Sequence, residues 1–194
     1  MTHPPRRWLA PVLGLATFLI VLVGFGGLVG DAVARNAEMN ALVTAIEQSE
    51  AAMSETQENV RGVIAAYEGS GQLDDVDRAE IDAALKAAAE QGREAIAAAA
   101  GPVGDVRWLV WHRDVKAAQE AYLAHNRAWQ EYLDRASTDP TEFARPQDLI
   151  NSSFADAENE VRAAIPLIAG YDLRDRIDVI FAPPPVEEGD GQQA

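Results

Sequence analysis

Cysteine is absent from this 194-residue chain, lysine occurs only at Lys86 and Lys116, and no ionisable side chain stands between Trp8 and Gly30. The lack of cysteine excludes a lipidated-cysteine anchor, a disulfide framework, thiol catalysis and thiolate metal sites. Basic charge is scarce. The first 30 residues hold two of the 16 basic residues and none of the 31 acidic ones, which leaves 14 against 31 beyond them, a formal charge of −17. Nucleic-acid binding rests on neutralising phosphates with Lys and Arg, and no basic face or stripe is present to do so. Anionic lipid headgroups are poor partners for the same reason. No segment of useful length alternates with the period of a strand, and no internal repeat is visible.

The uncharged run itself has a use. Its 23 residues, at roughly 1.5 Å each, make a helix of about 35 Å, enough to cross a hydrocarbon core of about 30 Å. Arg6 and Arg7 stand immediately before it and no basic cluster follows it, which favours a cytoplasmic N-terminus and an extracytoplasmic remainder. The expected division is a cytoplasmic stub over residues 1–7, a transmembrane helix over 8–30, a helical-bundle domain over 31–181 and a disordered acidic tail over 182–194. A competing reading takes Ala32-Val33-Ala34 as a signal-peptidase site, giving a secreted protein cleaved after Ala34. Signal h-regions run about 7–15 residues, shorter than this run, which favours the retained anchor. Arginine outnumbers lysine 14 to 2, a bias associated with GC-rich bacterial genomes, and in a bacterium the expected topology means a cell-envelope protein.

Beyond Asp31, apolar residues recur at three- and four-residue steps, the spacing that keeps them on one helical face. The first row runs Met39, Leu42, Ile46, Ser49, Met53, Thr56, Val60, Val63 and Tyr67, ended by Glu68-Gly69-Ser70-Gly71. Asp74 or Asp75 is expected to cap a second helix with the row Ile81, Leu85, Ala88, Gly92, Ala95 and Ala99, broken at Gly101-Pro102-Val103-Gly104. Asp105 is then expected to cap a third, with the coiled-coil-like row Trp108, Trp111, Val115, Ala118, Tyr122, His125, Trp129 and Tyr132. The small residues of the second row match the bulky ones of the third, as close packing requires. Asp139-Pro140-Thr141-Glu142 reads as a capped turn, and Pro146 as the opening of a fourth helix with Ile150, Phe154, Ala157, Val161 and Ala164 inward, finished by Pro166. A short segment capped by Asp172, carrying Leu173, Ile177, Ile180 and Phe181, is expected to close one end near the bilayer. The fold class expected is therefore all-α: one transmembrane helix continuing into an up-down four-helix bundle.

Chemical motifs are few. His112-Arg113-Asp114 spells the start of a kinase catalytic loop, but Gln119 stands where that loop needs Asn. Bundle di-iron sites need Glu-x-x-His pairs, which are missing. The acidic cluster Asp74, Asp75, Asp77, Glu80 and Asp82 lacks the central Gly of a calcium loop. Asn151-Ser152-Ser153 matches a glycosylation acceptor by pattern alone. No catalytic residue, metal site or cofactor is assigned, and the chain is read as a non-enzyme. Gly26-x-x-x-Gly30 would let a second membrane helix approach closely, for docking on a partner or for homo-oligomerisation. The aromatic row (Trp108, Trp111, Tyr122, His125, Trp129 and Tyr132) is read chiefly as core, with a ligand-lined seam as the alternative. Two functions follow: an envelope scaffold or accessory subunit binding another protein, or a small-ligand module that signals through a partner. Because only seven residues precede the run, a cytoplasmic output domain is not expected.

Overall fold

A computed structural model describes the backbone of residues 9–68, 75–167 and 169–182, and the side chains of 27–67, 77–167 and 169–182. The fold is all-helical over these residues: α1 (Leu9–Glu68), α2 (Asp75–Asp105), α3 (Arg113–Thr138), a 3-10 turn (Pro140–Ala144), α4 (Asp148–Ala164) and α5 (Tyr171–Ile180). Among the described residues no helix is long and apolar enough to cross a membrane. The span expected over 8–30 has most of its side chains outside them, as do the stub over 1–7, Gly26 and the tail from residue 183.

Successive helices run antiparallel. Val60 shares a cluster with Leu85 and Ala88, and Met53 one with Ala89 and Ile96, so α2 descends along α1 as its numbering rises. The α2–α3 pair is tied by Arg93 to Asp134 at 3.3 Å, and the α3–α4 pair by His125 to Ser153 at 3.0 Å and Tyr132 to Gln147 at 3.0 Å. Near the entry of α1 the core brings together Met39, Leu42, Val43 and Ile46 of α1, Val115, Ala118 and Tyr122 of α3, Ala157 and Val161 of α4, and Leu173 and Ile177 of α5. The expected rows of α1 and α4 are buried from Met39 to Val60 and at Ile150, Ala157, Val161 and Ala164. On α2 the inward face is shifted: Ala89, Ile96 and Val103 are buried while Ala95 is exposed.

Three expectations are corrected. The first is the break at Gly101-Pro102, because α2 continues through Pro102 to Asp105. What ends it is Gln119, sixteen residues beyond Val103, whose Nε2 donates to the carbonyls of Val103 (2.7 Å), Gly104 (3.2 Å) and Val106 (3.1 Å). Past the end of α2 Val103 keeps only a 3.4 Å bond from the Val106 N–H, and the side-chain amide takes the place of a further turn. Secondly, α3 starts at Arg113 rather than after Asp105, which leaves Trp108 and Trp111 in the connecting loop. Finally, α5 does not cap an end. It rises beside α1, where Arg176 grips Glu47 (2.7 Å to each oxygen), Thr44 (2.7 Å) and Asn40 (3.2 Å). On its other side Arg162 of α4 reaches Asp178 at 2.5 Å and Phe154 meets Phe181 at 5.1 Å, so α5 fills the lower seam between α1 and α4.

Candidate ligand groove

Unequal helix lengths create the site. At 17 residues α4 is much shorter than the 26-residue α3, so the upper part of the seam facing α1 has no fourth helix beside it. The 3-10 turn covers part of the gap. Its start is set by Asp139, whose carboxylate accepts from the Thr141 backbone N–H at 3.1 Å with Pro140 at the first position, as the sequence pattern implies. Phe143 of this turn meets the edge of Tyr132 at 5.8 Å.

Two adjoining cavities remain. The upper, about 370 Å³, is lined by Thr56, Gln57, Val60, Arg61 and Ile64 of α1, Trp129, Tyr132 and Leu133 of α3, Phe143 and Gln147. The lower, about 440 Å³, is lined by Glu50, Met53, Ser54 and Gln57 of α1, His125 and Trp129 of α3, Gln147, Ile150, Asn151 and Phe154, and the end of α5 at Ile180 and Ala182. Gln57, Trp129 and Gln147 border both, so the two form one groove of the size that holds small molecules.

The groove is aromatic-walled and carries little charge. Tyr122 donates its hydroxyl to Glu50 at 2.6 Å, and burial holds the Glu50 carboxyl above its ordinary pKa despite that hydrogen bond. His125 sits between Tyr122 (5.8 Å between rings) and Phe154 (5.2 Å), and burial pushes its pKa down to about 4, so it is neutral at pH 7. Ser153 donates its hydroxyl to the Ile150 carbonyl at 2.9 Å, so it accepts from His125 Nδ1–H, which leaves Nε2 as the ring's acceptor. Tyr132 accepts from Gln147 Nε2 at 3.0 Å. The arrangement offers flat apolar surface with amide, hydroxyl and imidazole donors and acceptors, and with Arg61 and Glu50 as its charged-type residues, suited to a partly aromatic ligand.

Of the six aromatic-row residues, Tyr122, His125, Trp129 and Tyr132 share one face of α3. Trp108 and Trp111 lie at the opposite end of the molecule. Trp108 Nε1 donates to Gln119 Oε1 at 2.9 Å, and Trp111 Nε1 to Asp31 Oδ1 at 2.8 Å. At Gly30 a Cβ would meet open space, as it would at Gly27. Glu50, Gln57 and Gln147 are not among the sequence candidates, and Asn151 stands out only as a glycosylation pattern; the one trace of a groove is polar residues at helical spacing beside the apolar rows. Among the described residues no group of three or more His, Asp or Glu is placed to hold a metal ion. No protein-family description, no curated protein and no solved structure matches the chain.

Proposed function

We propose that this chain is a single-pass membrane protein whose bundle stands outside the cytoplasm and serves as a structural or accessory subunit by binding another protein. The observation that carries the reading is the continuity of α1. One helix of 60 residues leads from the uncharged run into the core without a break, so the bundle is joined stiffly to whatever holds the run. Retention of the run is supported by Asp31, which accepts from Trp111 and contacts His112 Nε2 at 3.0 Å; cleavage after Ala34 would remove it from the folded domain. The Gly26-x-x-x-Gly30 spacing, with open space beside Gly30, suits a close-packed neighbouring helix in the membrane. Cross-linking in native membranes followed by purification in mild detergent tests this. A defined heteromeric complex is expected, and reproducible recovery as a lone monomer contradicts it.

A second reading is favoured by the groove: a small-ligand module that passes its state to a partner. Titration of neutral aromatic and amphipathic compounds, followed by tryptophan emission and melting temperature, checks it. Binding there raises the melting point by mass action and shifts Trp129 emission; no response across a broad set leaves the scaffold role alone.

A further inference from the structure

We infer that the end of the bundle where α1 enters rests on the bilayer surface, with the α2–α3 loop and the α4–α5 turn seated at the lipid headgroup level. This depends on the anchored reading above and adds a lipid contact made by the folded domain itself.

Large apolar side chains left exposed gather at this end. Leu28 and Val33 project from α1, Val110 (74% exposed) and Trp111 (62%) from the α2–α3 loop, and Leu167 (98%) and Tyr171 (90%) from the α4–α5 turn. Elsewhere Ile64, Leu149 and Val179 are exposed singly. Exposed apolar side chains gathered at one end of an acidic protein mark an interaction surface.

The three segments are held there by specific bonds. The α2–α3 loop is fixed to α1 by Trp111 on Asp31 and by the Leu109 N–H on Glu38 at 2.8 Å. Arg35 of α1 fixes the remaining one, donating to the Ala164 carbonyl at 3.4 Å before the α4–α5 turn while also pairing with Asp114 at the start of α3. The turn beyond Ala164 is closed by the Ala169 N–H on the Pro166 carbonyl at 3.0 Å, with Leu167 at its tip.

The occupant is set by what adjoins the patch. Asp31 is the first residue after the uncharged run, so at about 1.5 Å per residue Trp111 lies within roughly 2 Å, along the helix, of the point where the run ends. Trp and Tyr are the side chains that favour the membrane–water interface. Two charged clusters at this end are paired internally: His112, 3% exposed, is held between Glu38 (2.5 Å) and Asp31 (3.0 Å), and Arg35 pairs with Asp114. Arg107 and Arg113 are exposed, and their long stems let the guanidinium stay in water above an apolar contact. Exposed Asp105 and Asp172 set the depth at the headgroups rather than in the hydrocarbon.

The absence of cysteine makes the test direct. Nitroxide labels on Val110→Cys and Leu167→Cys, on Leu149→Cys and Val179→Cys as controls, and on Val21→Cys within the run are compared in full-length protein reconstituted into phosphatidylcholine vesicles. Collision with oxygen reports lipid, and collision with a water-soluble nickel chelate reports solvent. Labels at 110 and 167 are expected to show an oxygen-to-nickel ratio severalfold above those at 149 and 179, with the label at 21 higher still. If position 21 is lipid-like while 110 and 167 match the controls, the surface contact is wrong and the anchor stands. If position 21 is aqueous, both fail. Shielding of 110 and 167 from both reagents means protein covers this end, which also overturns the inference.

Discussion

Gly92 of α2 lies so close to Thr56 of α1 that a Cβ built on the glycine would stand 2.2 Å from the threonine Cγ2 and 3.2 Å from its Cβ. Thr56 has little room to yield, since its hydroxyl donates to the Ala52 carbonyl at 2.7 Å and its β-branched side chain is stiff. Gly92→Ala should therefore destabilise the fold by about 1–2 kcal/mol, the overpacking cost exceeding the roughly 1 kcal/mol gained in helix propensity. Urea unfolding of Gly92→Ala, Thr56→Ala and the double variant checks it. The double variant should recover most of the loss, because the methyl then enters the space the threonine vacated.

The two histidines within the fold predict opposite slopes of stability with pH. For His125 the folded pKa is about 4, below its ordinary 6.5, through burial. Its contribution is full above about pH 6.5 and shrinks by up to roughly 3 kcal/mol as the pH falls toward 4, because the unfolded chain takes up the proton first. His112 is the reverse. Burial disfavours its charged form, but hydrogen bonds to Glu38 and Asp31 outweigh that and raise its pKa. Its contribution is complete below about pH 6.5 and is lost as the pH rises through the raised value. Chemical unfolding between pH 4.5 and 8.5 should show stability falling on both sides, with His125→Gln flattening the acid limb and His112→Gln the alkaline one.

Gln119 offers the sharpest test of how α2 ends. It is buried, and Gln119→Ala leaves the Gly104 and Val106 carbonyls and the Trp108 Nε1–H without that partner, and the Val103 carbonyl with only the 3.4 Å bond from the Val106 N–H. A loss of about 3 kcal/mol is expected. Hydrogen exchange should rise over residues 103–112, and Trp108 emission should shift to the red.

These positions also show what the sequence could and could not convey. The rows of α1 and α4 were readable because one face of each is apolar at helical spacing and the core lies on that side. The α2–α3 boundary was not: Pro102 and Gly104 mark a stop, yet Pro102 falls in the last turn of α2, and the stop comes from a side chain sixteen residues away. Trp108 and Trp111 continue the spacing of α3 by coincidence, and their places are set by Gln119 and by Asp31, 80 residues distant. The groove was half legible. Three of the aromatic-row candidates, His125, Trp129 and Tyr132, line it from α3, but Glu50, Gln57 and Gln147 join them only through the length mismatch between α3 and α4.

Arg176 should govern whether α5 stays docked. Arg176→Ala removes bonds to Glu47, Asn40 and Thr44, all partly solvated, so a loss of only about 1 kcal/mol is expected. The local effect should be larger than the global one. Hydrogen exchange over residues 171–181 should speed up while α1 to α4 stay protected.

The uncharged run sets which side of the membrane the bundle occupies. Glu90 is exposed on α2, well away from the groove and the apolar end, so Glu90→Cys gives the only thiol in the chain without disturbing either. In intact cells expressing this variant, a membrane-impermeant maleimide should label the protein, and the labelled protein should stay with the membrane after alkaline carbonate washing. Labelling that appears only after the cells are permeabilised, or release of the protein by the wash, would contradict the anchored, extracytoplasmic placement.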